Sequence, residues 1–440
     1  MAALIRHGTI LTMNAALEVV SGDVWTDGQR IAGVGTAPPD LRADLVIDAE
    51  GAIVLPGFVQ THVHLCQTLF RGLADDLPLL PWLKTRVWPL EAAHDERTLG
   101  ASARLAAAEL LLGGTTTVLT METVHGTDAV FDALVPTGLR AVVGKCLMNE
   151  RGDAPARLSQ AAREAIDDAL DLDRRWSGAA GGRLRAALAP RFALSCSRDL
   201  LEAVAAVSAE RGLLVHTHAS EQREEVEIVR RQTGLDNVAY LASLGLATER
   251  LCAAHCVWVT EDEQRLLADR RVKVLHCPGS NLKLGSGLAP VVEMRARGVA
   301  VSLGADGAAC NNTLDMFHEM RLAATLQAMR YGPGALAARD VVRMATRDGA
   351  HALGLDQEIG AIEPGKRADL IVVRADAVHQ TPGADPYSAL VYASRPSDVV
   401  VTMVDGHVVA REGELDWADR RQVVADAARA ARSLRARAAV

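Results

Sequence analysis

Hydrophobic and polar positions fall into two textures along the chain. Residues 1 to about 55 read as short strands, ALIRHGTILTM, LEVVSGDVWTDGQRIAGVG and ADLVIDAEGAIVL, with Asp27-Gly28 and Glu50-Gly51 between them as turn signals. The same texture returns in RADLIVVRA and DVVVTMVDGHVVAREGEL, with Asp405-Gly406 as the turn. Neither fragment has enough strands to bury a two-faced core alone. The pattern therefore predicts one small β-sandwich built from both chain ends, residues 1–56 and 366–440. After Trp417 the chain turns rich in Ala and Arg and reads as a terminal helix with a solvated face.

Between these ends, apolar runs of strand length alternate with helical patterns. RTLGASARLAAAELLLG reads as a helix and TTTVLTM as the strand after it. LRAVVGKCLM, LRAALAPRFA, LLVHTHA, LCAAHC, VKVLHCP and VAVSLGADG then recur at helix-plus-strand spacing. Such alternation implies parallel strands joined by crossover helices. About eight units fit within residues 57–365, which predicts an α/β fold, a (β/α)8 TIM-like barrel. Barrels of this kind build their active sites at the C-terminal ends of the strands.

Those ends carry the chemistry. His62-Val63-His64, His216-Thr217-His218, Glu221, His255 and Asp306 each close or follow a short apolar run. Side chains at i and i+2 of a strand share a face, so His62 and His64 can grip one ion together. Imidazoles with a carboxylate make a suitable shell for a divalent transition metal, completed by water. His216 shares a face with His218, which leaves the choice between them open. His276, in HCPGSN, reads as structural, and His7, His94, His125, His351, His379 and His407 read as ordinary core or surface residues.

Roles follow from chemistry. A metal-bound water becomes a nucleophile near neutral pH because the cation stabilises hydroxide. Asp306 can ligate and accept that water's proton. Glu221 can protonate a ring nitrogen or leaving group. His255 can steady the attacking oxygen. The site suits hydrolytic attack at an electrophilic carbon.

Composition narrows the class. Apolar residues make up 49% and charged residues 23%, so a large core is available and disorder is not indicated. A net charge of −8 argues against a nucleic-acid partner. Seven scattered cysteines without a CxxC suit a reducing compartment, and no apolar run is long enough for a membrane span, so a cytoplasmic enzyme is expected. HExxH, GxSxG and PCxxC signatures are absent.

PGFVQTHVH, HTHASE, AHC, LGADGAACNNTLDMFHEMRLA and the closing IGAIEPGKRADLIVV together resemble the amidohydrolase superfamily, in its aminohydrolase and chlorohydrolase branch. The resemblance covers nearly the whole chain. Within the branch it is most similar to deaminases of S-adenosylhomocysteine, methylthioadenosine and 5′-deoxyadenosine. The resemblance implies one divalent metal, zinc or iron, held by His62, His64, His218 and Asp306, with Glu221, His255 and Asp306 catalytic. It implies attack by metal-bound hydroxide at C6 of an adenosine-type nucleoside, giving the inosine-type product and ammonia. A homo-oligomer is compatible with it.

The likeness extends to LFRGLADDLPLLPWLKTRVWPLE, where Trp82 matches a base-pocket tryptophan and Glu91 a glutamate that binds ribose hydroxyls. Departures are also visible. Lys145 stands where the nucleoside deaminases commonly carry arginine, and lysine cannot make the same bidentate fork. Arg157 matches a second basic contact. Arg191, in APRFALSCS, and Gln67 match positions of guanine deaminases instead. Guanine deamination and s-triazine dechlorination or deamination are accordingly alternatives on the same machinery, since fold does not separate them. A non-catalytic barrel is a remote alternative, because it predicts missing ligands and none is missing.

Overall fold

The computed structural model describes residues 2–150 and 152–438. Eight parallel strands form the barrel: Phe58–His64, Thr115–Met121, Arg140–Leu147, Leu184–Pro190, Val215–Ala219, Leu251–His255, Lys273–His276 and Ala300–Leu303. They pair in chain order. The short segment Asp306–Gly307, just beyond the eighth strand, pairs with Val63 and His64 of the first and so closes the ring. Gly304 makes this closure possible. A Cβ there would lie 2.6 Å from the His62 carbonyl oxygen, so only glycine lets the backbones pass so closely.

The helices between strands turn apolar stripes inward. Glu96–Leu112 buries Leu99, Ala103, Ala106, Ala107, Leu110 and Leu111, the three-to-four spacing of one helix face. It starts at a capping box, with Asp95 Oδ1 accepting the Thr98 N–H at 2.8 Å. Val59, Leu119, Val142, Cys252 and Leu275 form an apolar cluster with Ala350 and Ala352 of the short helix Arg347–Ala352. This apolar filling leaves the polar chemistry to the strands' C-terminal ends.

The two chain ends meet in a second nine-stranded sheet. Ala52–Pro56 pairs antiparallel with Leu370–Arg374, which stitches the N-terminal strands to the C-terminal ones. Ile5, Ile10, Val24, Val54, Leu370, Val372, Val401 and Met403 form its core. A buried charge network ties this sheet to the barrel. Arg140, on the third barrel strand, donates to Asp369 Oδ2 at 2.9 Å and to Asp405 Oδ1 at 2.7 Å. The terminal helix Arg420–Ala438 packs mainly on the barrel helix Glu96–Leu112. Its Ala427, Ala430 and Leu434 are buried in one cluster with Phe70, Trp88 and Leu90. Among the described residues, no helix is long and apolar enough to cross a membrane.

Candidate metal centre

Strand register brings together four groups that are far apart in sequence. The ligand-type atoms of His62, His64, His218 and Asp306 all lie within 4.8 Å of one another. Asp306 Oδ1 is 3.2 Å from Nε2 of both His62 and His64, and His64 Nε2 is 3.3 Å from His218 Nε2. The outward ring nitrogens of two of these histidines are tethered to the backbone. His64 Nδ1–H donates to the Met121 carbonyl and His218 Nδ1–H to the Arg191 carbonyl, both at 2.7 Å. A carbonyl can only accept, so Nε2 of each ring keeps its lone pair for the centre.

Electrostatics point the same way. Burial pushes His62 down to about 4 and His218 well below the ordinary imidazole value, so both rings are neutral donors. Burial alone would raise Asp306, but the adjoining His62 and His64 rings hold its carboxyl well below the usual range. Its Oδ2 accepts from Ser280 Oγ at 2.6 Å and its Oδ1 from the Gly307 N–H at 2.8 Å. His62 Nε2 is buried without a hydrogen-bond partner, which is costly unless a ligand completes it. Burial would lower His64 as well, but the Asp306 carboxylate beside it raises it above the ordinary imidazole value, so His64 must release that proton to a competing cation. Three imidazoles and one ionised carboxylate then fit a divalent cation.

Glu221 and His255 border this shell. His255 Nε2 lies 3.5 Å from Glu221 Oε2 and 3.8 Å from Asp306 Oδ2, and its Nδ1 meets Asn281 Oδ1 at 2.8 Å. Ser220, His255, Cys256 and Asp306 adopt positive φ of 53°, 72°, 46° and 62°. Such backbone is unfavourable for residues with a Cβ, and its concentration at these strand ends marks a site held in shape by its surroundings. Burial, then the Asp306 charge, lifts the Glu221 carboxyl well above its ordinary value, which favours its protonated form. Glu225 fixes the local turn by accepting the Glu221 N–H at 2.8 Å.

A cavity opens onto these groups. Leu79, Trp82, Leu83, Phe192 and Leu284 supply apolar walls, and Gln67 and Arg191 supply polar ones. The buried Trp82 Nε1–H and Gln67 Oε1 have no protein partner. Of the residues expected to touch substrate, Trp82, Gln67 and Arg191 thus line the cavity and the other three do not. Glu91 sits behind it, accepting from Gln67 Nε2 at 3.0 Å and from Arg191. Lys145 points to the barrel flank, where its Nζ donates to Gln160 Oε1 at 2.8 Å beside a separate cavity with His125 and Asp168. Arg157 is exposed on the turn Ala156–Leu158. The flank position of Lys145 follows from strand alternation, since its neighbour Cys146 faces Arg191.

Sequence reasoning passed over Ser280, Asn281 and Glu225. The segment HCPGSN, which begins on the last residue of the seventh strand, was the available signal for the first two. A roomier surface cleft between the terminal helix and the second sheet, bordered by Leu105, Leu112, Arg374 and Val424, contains none of these groups.

The chain belongs to the amidohydrolase family, whose model matches residues 53–409. It is 41% identical over 413 residues to a 5-methylthioadenosine/S-adenosylhomocysteine deaminase of Symbiobacterium thermophilum, covering 92% of this chain and 93% of that one. It is also 41% identical to a 5′-deoxyadenosine deaminase of Methanothermobacter thermautotrophicus, covering 94% of this chain and 95% of the relative. Among solved structures, a zinc-bound adenosine deaminase from Xanthomonas campestris matches with a TM-score of 0.92 at 33% identity, over 99% and 98% of the two chains. A zinc complex of an atrazine chlorohydrolase from Arthrobacter aurescens matches with the same TM-score at 26% identity, over 98% and 100%. The chain is a hydrolytic deaminase that uses a divalent metal.

Proposed function

We propose that this enzyme hydrolyses the exocyclic C6–N bond of an adenosine-type nucleoside, with 5′-deoxyadenosine, methylthioadenosine, S-adenosylhomocysteine and adenosine as the candidate substrates. The observation that carries the reading is the position of His255, whose Nε2 lies 3.5 Å from Glu221 Oε2 and 3.8 Å from Asp306 Oδ2 beside the ligand set, in a chain so similar to deaminases of such nucleosides. His62, His64, His218 and Asp306 would hold the metal, which we take to be zinc, as in the neighbouring structures. When bound, the cation supplies Lewis acidity that makes water nucleophilic near neutral pH.

The protein groups handle protons and position. Glu221 gives its proton to the purine N1, which draws electrons from C6 and readies it for attack. Water adds at C6, Asp306 takes its proton, and Ser280 Oγ–H keeps the carboxylate turned to the task. His255, anchored through Asn281, steadies the oxygen that bonds to C6. The proton on Asp306 then passes to the exocyclic amine, the C6–N bond breaks and ammonia leaves, while the remaining hydroxyl proton returns to Glu221 and the 6-oxo purine stays behind. Trp82 and Phe192 offer apolar faces to the base, while Gln67 and Arg191 offer hydrogen-bonding groups.

Those last two residues also fit a guanine edge, so the test must separate the readings. Ammonia release should be measured with 5′-deoxyadenosine, methylthioadenosine, S-adenosylhomocysteine, adenosine, guanine and melamine. Turnover of the nucleosides with little from free guanine is the expected result. Rapid guanine deamination with no nucleoside turnover would overturn the proposal.

A further inference from the structure

We infer that His216 is a positioning residue that fixes the tautomer of His62, so that His62 Nε2 presents a bare lone pair to the metal centre. The inference rests on the reading of His62 as a ligand. It starts from a difference among the three histidines of the shell. His64 and His218 each donate Nδ1–H to a backbone carbonyl. His62 does not, because its Nδ1 meets His216 Nε2 at 2.6 Å. One of those two nitrogens carries the shared proton, and the pair alone does not say which.

The far side of His216 settles the polarity. His216 Nδ1 lies 3.2 Å from the Thr120 carbonyl oxygen, which can only accept. Nδ1 of His216 therefore bears the hydrogen, and in the neutral ring Nε2 is the acceptor. It follows that His62 donates Nδ1–H to His216, and that His62 Nε2 is unprotonated. That atom is the one buried without a hydrogen-bond partner beside Asp306. The reverse arrangement would set two lone pairs against each other at Thr120 and put an N–H where a cation belongs.

The packing holds the relay in place. Both rings are wholly buried and meet edge to face, with centroids 4.8 Å apart and planes at 88°. The backbone of His62 is pressed by Gly304, where even a methyl group would not fit. Both nitrogens of His216 are spent, so it is not itself a ligand, and the doublet His216-Thr217-His218 has one residue for the metal and one for orienting it. Partners that orient metal-binding histidines affect metal affinity as well as turnover.

Two variants separate hydrogen bonding from bulk. His216→Gln places Oε1 where Nε2 now accepts, whereas His216→Leu keeps the volume and removes the acceptor. Zinc affinity should be measured for each by competition with a chromophoric chelator, with the thermal midpoint of the metal-free protein recorded alongside. We expect His216→Gln to stay close to the parent and His216→Leu to bind zinc about 10- to 100-fold more weakly with a similar midpoint. Parent-like zinc affinity in a folded His216→Leu protein would overturn the inference, as would a His216→Gln protein as weak as His216→Leu. Should His216→Leu fail to fold, nitrogen-15 spectra of the histidine-labelled parent decide the matter. A protonated His62 Nδ1 is expected, and a bare one sinks the inference. A parent that takes up no zinc would refute the metal reading itself, and the tautomer measurement would still judge His216.

Discussion

Arg191 and Glu91 form a bidentate pair against the cavity wall, with Nη1 2.7 Å from Oε2 and Nη2 3.2 Å from Oε1. Both side chains are buried, and Gln67 Nε2 adds a third donor to the same carboxylate. Glu91 thus braces the two residues that do reach the cavity, Arg191 and Gln67. Glu91→Ala would strand a buried guanidinium, a change that typically costs about 3–5 kcal/mol. We expect a lower urea midpoint together with reduced kcat/KM for nucleosides. The double variant Glu91→Leu with Arg191→Met should recover the midpoint but not the activity. An isolated Glu91→Ala protein with parental stability would show that the pair carries no such load.

Proton delivery is tested at Glu221. Burial and the Asp306 charge favour the protonated form of this carboxyl, and its Oε1 has no protein partner. Glu221→Gln preserves shape and hydrogen bonding but has no acidic proton to give. Its kcat should fall on the order of 10²- to 10⁴-fold while metal content stays at the parental level. Near-parental turnover with metal bound would remove Glu221 from the reaction.

Much of this site was legible because its ligands obey a local rule. His62 and His64 are two residues apart at a strand end, and His218, His255 and Asp306 recur at later strand ends, where a parallel barrel gathers them. The alternation of strand and helix predicted that barrel, and the hairpin signals at both ends predicted the shared second sheet. The pairing of Glu91 with Arg191 was not legible, since residues a hundred positions apart share no periodicity that would announce a contact. Lys145 was misplaced for a simpler reason. Matching by residue type put it in the pocket, but strand alternation turns it outward to Gln160. The terminal helix showed its solvated face in sequence, yet the stripe Ala427, Ala430 and Leu434 did not say which partner it covers.

Stability should respond to pH through Glu319. This buried carboxyl accepts the Gly279 N–H at 2.9 Å and Asn311 Nδ2–H at 2.7 Å, and so ties HCPGSN to the loop after Asp306. Burial raises it from 4.5 to about 8. The folded chain therefore keeps a proton that the unfolded chain has already released. Its contribution is greatest at or below the unfolded value of 4.5 and is lost as pH rises through about 8. Urea midpoints should fall between about pH 5 and about pH 8 in the parent, and fall less in Glu319→Gln, which mimics the protonated form. An equal slope in both proteins would assign the pH dependence elsewhere.

Removing the metal gives the last prediction. The shell consists of three imidazoles with lone pairs turned inward and a carboxylate kept ionised by His62 and His64. The ligand atoms of these four residues lie within 4.8 Å of one another, and the buried His62 Nε2 has no hydrogen-bond partner among them. A chelator should therefore abolish ammonia release and also lower the thermal midpoint, because a bound ion stabilises the folded state in proportion to the logarithm of its excess over Kd. Adding back zinc at one equivalent per chain should restore both. His64→Ala should lose the response on both readouts, since it deletes a donor that is positioned by the Met121 carbonyl. Full activity in a chain shown to be free of metal would defeat the assignment of this centre, and restoration only at two equivalents would show that the shell described is incomplete.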